Sequence, residues 1–215
     1  MMVGARVGAW AKSGSPTPTA YGGLCFTAKT ANSSVQLTAV GSAPAVTLIK
    51  SFDGVNWEDY AVGEVIDLPS IGDFVYLAAG EGGNETFGSS TNAYHKFVIN
   101  GLVAASGDIT SLRNFDLAQT QLAIYCYRSM FSGCTGLTSA PELPATTLEA
   151  NCYRSMFQGC THLALMKVHF TAWRTQTTSW VTSVSSAGTF YKPSALSEEF
   201  GQSNIPNGWT VVNID

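Results

Sequence analysis

The chain has 215 residues and a formal net charge of −4, with 12% of residues charged against a usual quarter or so, while Gly, Ser, Thr and Ala abound. Lysine and arginine nowhere form a run, so the electrostatic footprint for nucleic acid or an anionic membrane surface is lacking. No apolar stretch reaches the roughly 18 residues that a membrane-spanning helix needs.

Residues 1–22 read as an extended N-terminal arm. They are Gly-rich and then carry Pro16 and Pro18, which forbid helix and favour an extended backbone. Val7 and Trp10 are its candidate anchor residues. The segment Met1–Trp10 shows no charged start followed by an uninterrupted apolar run, so no export signal is expected.

From 23 to 108 the text changes to short alternating runs. Leu24–Thr27, Val35–Val40, Val46–Lys50, Val65–Leu68, Phe74–Ala78 and Lys96–Ile99 each suit a strand, with Gly and Asp clusters between them. Strands at this spacing predict an antiparallel, sandwich-like β-domain. Within it, Ser51-Phe52-Asp53-Gly54-Val55-Asn56-Trp57 reads as a hairpin turn set by Asp53-Gly54, with Trp57 packed on the sheet. The sequon-like Asn32-Ser33-Ser34 and Asn84-Glu85-Thr86 read as plain loop residues.

Residues 109–170 carry an internal repeat. Cys126-Tyr127-Arg128-Ser129-Met130-Phe131-Ser132-Gly133-Cys134-Thr135 returns as Cys152-Tyr153-Arg154-Ser155-Met156-Phe157-Gln158-Gly159-Cys160-Thr161, an offset of 26 residues that also maps Leu122 onto Leu148 and Leu137 onto Leu163. A period of about 20–29 residues with leucines at fixed places signals a leucine-rich solenoid, whose units bury their apolar faces only by stacking. Each Ser-Met-Phe-x-Gly-Cys phrase is expected to form a short helical turn ended by glycine. Strands are expected at Leu137–Pro141 and Leu163–Val168, with an earlier degenerate strand at Asp108–Leu112. Residues 171–215 lose the period, hold Trp173, Trp180 and Trp209, and read as a C-terminal cap. The fold class is therefore mainly β with short helices: arm, antiparallel β-domain, short leucine-rich solenoid and cap.

Chemistry-bearing residues are few. The five cysteines are odd in number and lack CxxC spacing, which argues against a disulfide framework or zinc site. Four of them, Cys126, Cys134, Cys152 and Cys160, recur in the repeats and read as stacked buried hydrophobes, a poor setting for a reactive thiolate. No carboxylate pair suggests glycoside hydrolysis: Glu58 and Asp59 are adjacent and so point to opposite faces of a strand, Glu81 and Glu85 lie in a Gly-rich loop, and Glu198 and Glu199 sit in the cap. No catalytic, cofactor or metal residue is assigned. The candidate contact residues are Tyr127 with Arg128 and Tyr153 with Arg154, which repetition would set in two columns on one face, and His162, which replaces Gly136 at a turn position. Aromatic and guanidinium groups are favoured at interfaces; the competing reading has half-buried tyrosines and merely solvated arginines.

The phrase Met-Phe-x-Gly-Cys-Thr-x-Leu, followed by Ala140-Pro141-Glu142-Leu143-Pro144-Ala145-Thr146-Thr147-Leu148, resembles BspA-type leucine-rich repeats. So do Gly188-Thr189-Phe190-Tyr191 and Ile205-Pro206-Asn207-Gly208-Trp209-Thr210-Val211, which look like the usual ending of such arrays. The likeness covers roughly residues 95–215, and Ser51–Tyr60 looks like the β-hairpin domain that often precedes them. Such repeats occur on the surfaces of gut Bacteroides and in virion proteins, head or tail fibres, of their crAss-like phages. The resemblance implies a non-enzymatic surface protein. The missing export signal and the two clear repeats fit a virion component, made in the host cytoplasm, better than a bacterial cell-surface adhesin. The expected partners are other virion proteins of capsid or tail and a host-surface or gut glycan or protein. A homo-oligomer without membrane insertion is expected. A carbohydrate-active enzyme is the reading from another class.

Overall fold

The computed structural model describes residues 21–117 and 121–215, which are mainly β and contain no helix of seven residues or more. The candidate anchors Val7 and Trp10 lie outside the described residues. The strands are β1 (Cys25–Ala28), β2 (Ser33–Val40), β3 (Leu48–Ser51), β4 (Glu58–Tyr60), β5 (Val65–Leu68), β6 (Phe74–Ala79), β7 (Gly88–Ser90), β8 (Ala93–Asn100), β9 (Val103–Ser106), β10 (Leu137–Ser139), β11 (Glu142–Leu143), β12 (Leu165–Val168), β13 (Thr189–Lys192) and β14 (Thr210–Asn213).

Two sheets built mainly from the first nine strands face each other. One has the order β10-β9-β1-β6-β3-β4 and the other β5-β2-β8-β7. Period-two alternation decides which side of each strand is covered: Ser33, Val35 and Leu37 of β2 and Ala93, His95 and Phe97 of β8 are buried, with more exposed residues between them. Across the gap Phe26 of β1 meets Phe97 of β8 at 4.9 Å, edge to face, the inner layer of a sandwich. All six predicted strands exist; β4, β7 and β9 were not foreseen.

The repeat does not form the expected helical turn. Along residues 125–134 each even-numbered N–H bonds back three residues, as Arg128 to Tyr125 (3.1 Å), Met130 to Tyr127 (3.2 Å) and Ser132 to Ser129 (2.9 Å). Each odd-numbered N–H leaves the segment for the next copy: Tyr127 to Cys152 (2.9 Å), Ser129 to Arg154 (2.9 Å), Phe131 to Met156 (2.8 Å) and Gly133 to Gln158 (2.8 Å). A helix would satisfy nearly all these donors internally and leave none for stacking. The backbone obtains the alternation by entering the left-handed region every fourth residue, at Tyr125, Ser129 and Gly133 (φ 60°, 55° and 80°) and at Asn151, Ser155 and Gly159 (φ 57°, 54° and 78°). Each such string of turns is here termed a coil.

A third coil follows where the sequence loses its period. Tyr153, Ser155, Phe157 and Gly159 donate to Gln176, Thr178, Trp180 and Thr182 at 2.8–3.2 Å, and left-handed φ recurs at Ser179 and Ser183 (56° and 60°). Thr177, Trp180 and Val181 are buried in the places of Tyr153, Met156 and Phe157. The opposite side of the coils is a parallel sheet, β11-β12-β13-β14, which also runs on past residue 171. It is joined to the sandwich: β10 pairs parallel with β9, Glu142 N–H donates to Gly107 O (2.8 Å), and Ala140 N–H donates to Leu165 O (2.9 Å). The expected strand at Asp108–Leu112 is instead two isolated parallel bridges at Asp108, to Gly23 and Glu142, leading into a 3₁₀ turn, Ile109–Leu112, whose Thr110 N–H is capped by the Asp108 carboxylate.

The core is one contiguous cluster that crosses residue 108. Two aromatic columns run through it. Phe97, Phe131 and Phe157 stack at 5.1 and 5.4 Å, with planes 20° and 8° apart. Phe87, Tyr127, Tyr153 and Trp180 stack at 6.0, 6.2 and 6.4 Å. Both columns start in the sandwich, where Phe87 N–H and Phe97 N–H donate to Cys126 O and Met130 O of the first coil. The second sheet thus covers the first coil and supplies the layer beneath it.

Candidate functional site: an exposed β face

On the side away from the coils, the two joined sheets present one continuous surface, and its chemistry differs along its length. On β6 the outward residues are Phe74, 37% exposed, and the half-buried Tyr76, two apart and hence on one face. Their rings meet edge to face at 5.6 Å. Tyr76 in turn meets Tyr21 (5.9 Å), which packs on Trp57 (5.0 Å) and stacks on Phe115 (4.8 Å). Tyr21 is held by donating its hydroxyl to Phe115 O at 2.9 Å; burial, with Asp108 adding repulsion, pushes that phenol well above its ordinary range. A groove of about 370 Å³ runs here, with Tyr21, Tyr76 and Phe74 as aromatic walls and Thr27 and Ser106 as hydroxyls. The Asp53 turn beside it is structural, as expected: Asp53 accepts from the N–H groups of Val55 (2.8 Å) and Asn56 (2.7 Å), and the Asn56 hydrogen bonds hold its carboxyl well below the usual range.

Gly107 and Asp108 lead from this groove to a charged cluster on the parallel strands. Glu142 of β11 lies opposite Lys167 of β12. Its Oε1 accepts from Lys167 Nζ at 2.7 Å and His169 Nε2 at 2.6 Å. Burial alone would raise the Glu142 carboxyl, but these two donors hold it below its ordinary value. Asp108 behaves oppositely. Burial raises it, the Thr110 N–H and hydroxyl at 2.7 Å oppose the rise, and neighbouring Glu142 adds to it. Leu165, Thr189, Tyr191 and Thr210 continue the outward rows. The face therefore offers ring faces at one end and fixed donors and acceptors at the other, the two kinds of contact by which a sugar or peptide is held.

The repeat-derived contact residues separate. Tyr127 and Tyr153 are corrected from contact to core: both are 0% exposed inside the aromatic column, because the coil places residues in pairs, two inward and two outward, rather than one face per residue type. Arg128 and Arg154 fall on the outward pair and are half-buried. His162 is exposed and donates Nδ1–H to Thr135 O at 2.6 Å. Its counterpart is buried, because a side chain at Gly136 would collide with the Gly101 carbonyl of the sandwich beneath. The repeat cysteines are all free and buried, and two are more than hydrophobes: Cys134 Sγ donates to Phe97 O (3.1 Å) and Cys160 Sγ to Phe131 O (3.0 Å).

Sequence reasoning missed Tyr21, Phe74, Tyr76 and the Glu142–Lys167–His169 cluster. Two signals were present: the spacing of two between Phe74 and Tyr76, and the repeat register that sets Lys167 one strand beyond the Pro141-Glu142 pair. Among the described residues no three His, Cys, Asp or Glu side chains gather as metal ligands. No protein family, curated protein or solved structure matches the chain.

Proposed function

We propose that this chain is a non-enzymatic recognition protein of a phage virion surface, a short leucine-rich solenoid of the BspA type grown directly on a β-sandwich. The observation that carries the reading is the exposed β face, in which an aromatic groove and an ion-pair cluster lie side by side on two joined sheets. Repeat proteins use such extended faces to bind, and a sandwich sharing the solenoid's core holds the face without a hinge. The occupant we favour is a host-surface glycan, since ring faces beside hydroxyl and carboxylate groups suit a pyranose.

Two measurements test this. Labelled protein is expected to adsorb to Bacteroides-type cells and to their extracted surface glycans. Tyr76→Ala or Lys167→Ala is expected to weaken adsorption by about tenfold or more, the loss of one well-placed contact. Unchanged adsorption in both variants would reject the face as the site. Peptide mass spectrometry is expected to find the chain in purified particles; finding it only in the host envelope would replace the virion by a bacterial adhesin.

A further inference from the structure

The coils have a second exposed side, opposite the β face, and its charge is one-sided. Over residues 121–135, 147–162 and 171–187 the chain carries Arg128, Arg154 and Arg174 against Glu149 alone, in a molecule whose overall charge is −4. Arg128 and Arg154 hold equivalent places in neighbouring coils, and the Arg154 carbonyl accepts from Ser129 N–H at 2.9 Å. Backbones bonded in this way lie about 4.8 Å apart, so two guanidinium groups leave adjacent coils in one column. Among the described residues no ion pair includes either of them. Like charges at such spacing repel, and a counter-charge between them would relieve the repulsion.

The state of Arg128 sharpens the point. Its Nε and Nη1 are enclosed and have no hydrogen-bond partner. Arg113, also buried, shows the ordinary arrangement: its Nε donates to Glu85 O (2.9 Å) and its Nη1 to Gln121 O (2.6 Å). Arg154 makes one long contact, from Nη1 to Asn151 Oδ1 at 3.4 Å. Enclosed donors without partners are rare in native proteins, and a bound water or ion is one way in which such donors are satisfied. Burial and the neighbouring Arg154 both lower the Arg128 pKa, while Tyr94 and Tyr125 beside it act the other way. Both tyrosines are half-buried.

We infer that Arg128 and Arg154 together form an oxyanion site, one that takes a sulfate or phosphate group carried on a glycan and binds it between two stacked coils. A tetrahedral oxyanion has enough acceptors to bond both guanidiniums at once. It turns their repulsion into shared attraction and gives the Arg128 donors, after a small turn of the side chain, the partner they lack. That a glycan carries the anion rests on the recognition reading above; that the arginine pair takes an oxyanion does not.

The test uses the full chain and inorganic sulfate and phosphate, titrated at constant ionic strength against chloride, with the thermal midpoint and calorimetric binding as readouts. Both divalent ions are expected to raise the midpoint of the wild type above the chloride value. Because two Arg128 nitrogens are enclosed, the decisive variant is Arg154→Gln. It is expected to weaken sulfate and phosphate binding by about tenfold or more while raising the midpoint in chloride, where the repulsion removed outweighs the long Asn151 contact. An equal response in wild type and Arg154→Gln overturns the site. A sulfated and a phosphorylated oligosaccharide, each compared with its neutral parent, then distinguish the sources. The charged form is expected to bind at least about tenfold tighter than the free ion, and no gain over the ion overturns the glycan assignment. Tyr76→Ala and Lys167→Ala should leave the ion response unchanged, so failure of the β face and failure of this site read out separately.

Discussion

The repeat thiols show what a single side chain contributes when it recurs at a fixed place. Cys134 and Cys160 are the right size to end a coil and also tie it to the phenylalanine carbonyl of the layer below. Cys160→Ala removes that bond and leaves a small void, an expected cost of about 1–2 kcal/mol in a urea titration, while Cys160→Ser keeps a donor but adds a more polar buried group. Burial also raises every repeat thiol above its ordinary 9.0, Cys126 to about 11 and Cys134 to about 12, with Cys152 and Cys160 moved the same way. The folded protein therefore holds these protons longer than the unfolded chain. Below pH 9.0 both states are protonated and the full stability is present; above it the unfolded chain ionises first, and stability is lost as pH rises through the folded values. The buried Tyr127 and Tyr153 phenols add to the same trend. Urea midpoints measured from about pH 8 to 11 should fall steadily, and a flat profile would show that the thiols are not enclosed as described. Burial of the cysteines was legible from their repetition. Their bonding was not, because the partner carbonyl belongs to a different coil.

At the scale of the element, the coil is defined by a four-residue rhythm. Cys126 and Tyr127 point in, Arg128 turns out while Ser129, at the left-handed position, stays buried, Met130 and Phe131 point in again, and Ser132 and Gly133 turn out. The sequence shows Met-Phe and Cys-Tyr four apart, a spacing that also fits one face of a helix; only the stacking of one coil on another diverts half the N–H groups and selects turns. The left-handed positions then carry a cost that depends on the residue. Nothing lies within 4 Å of a Cβ built on Gly133, so Gly133→Ala should lose about 1–2 kcal/mol from backbone strain alone. Ser129→Gly, at φ 55°, relieves the same strain and is expected to be neutral or stabilising by up to about 1 kcal/mol. Thermal unfolding of the two variants checks the opposite signs; a destabilised Ser129→Gly together with an unaffected Gly133→Ala would refute the coil geometry. The third coil keeps this rhythm in Thr177, Trp180 and Val181 but not the letters, so a search for repeated letters stops one coil early.

For the molecule as a whole, the absence of a seam in the core decides the behaviour. Phe87 and Phe97 of the sandwich are the lowest layer of both aromatic columns, and Trp180 closes their far end. Sandwich and coils should therefore unfold together. Trp173, Trp180 and Trp209 place most of the tryptophan fluorescence in the C-terminal third, whereas far-ultraviolet circular dichroism averages over all strands. Coincident denaturation curves from the two probes are expected, and two separated transitions would show that sandwich and coils fold independently. The sequence by itself determined the mainly β character, the strand-forming runs, the 26-residue repeat and the burial of its cysteines, because alternation and repetition are local properties of the chain. Only the tertiary structure decided that the coils are turns rather than helices, that Tyr127 and Tyr153 are core, that a third coil exists, and that Phe74, Tyr76, Glu142, Lys167 and His169 share one face. Each of these depends on hydrogen bonds or contacts between segments 20 or more residues apart, and the free energy of such contacts is set by what stacks against a residue rather than by its neighbours in sequence.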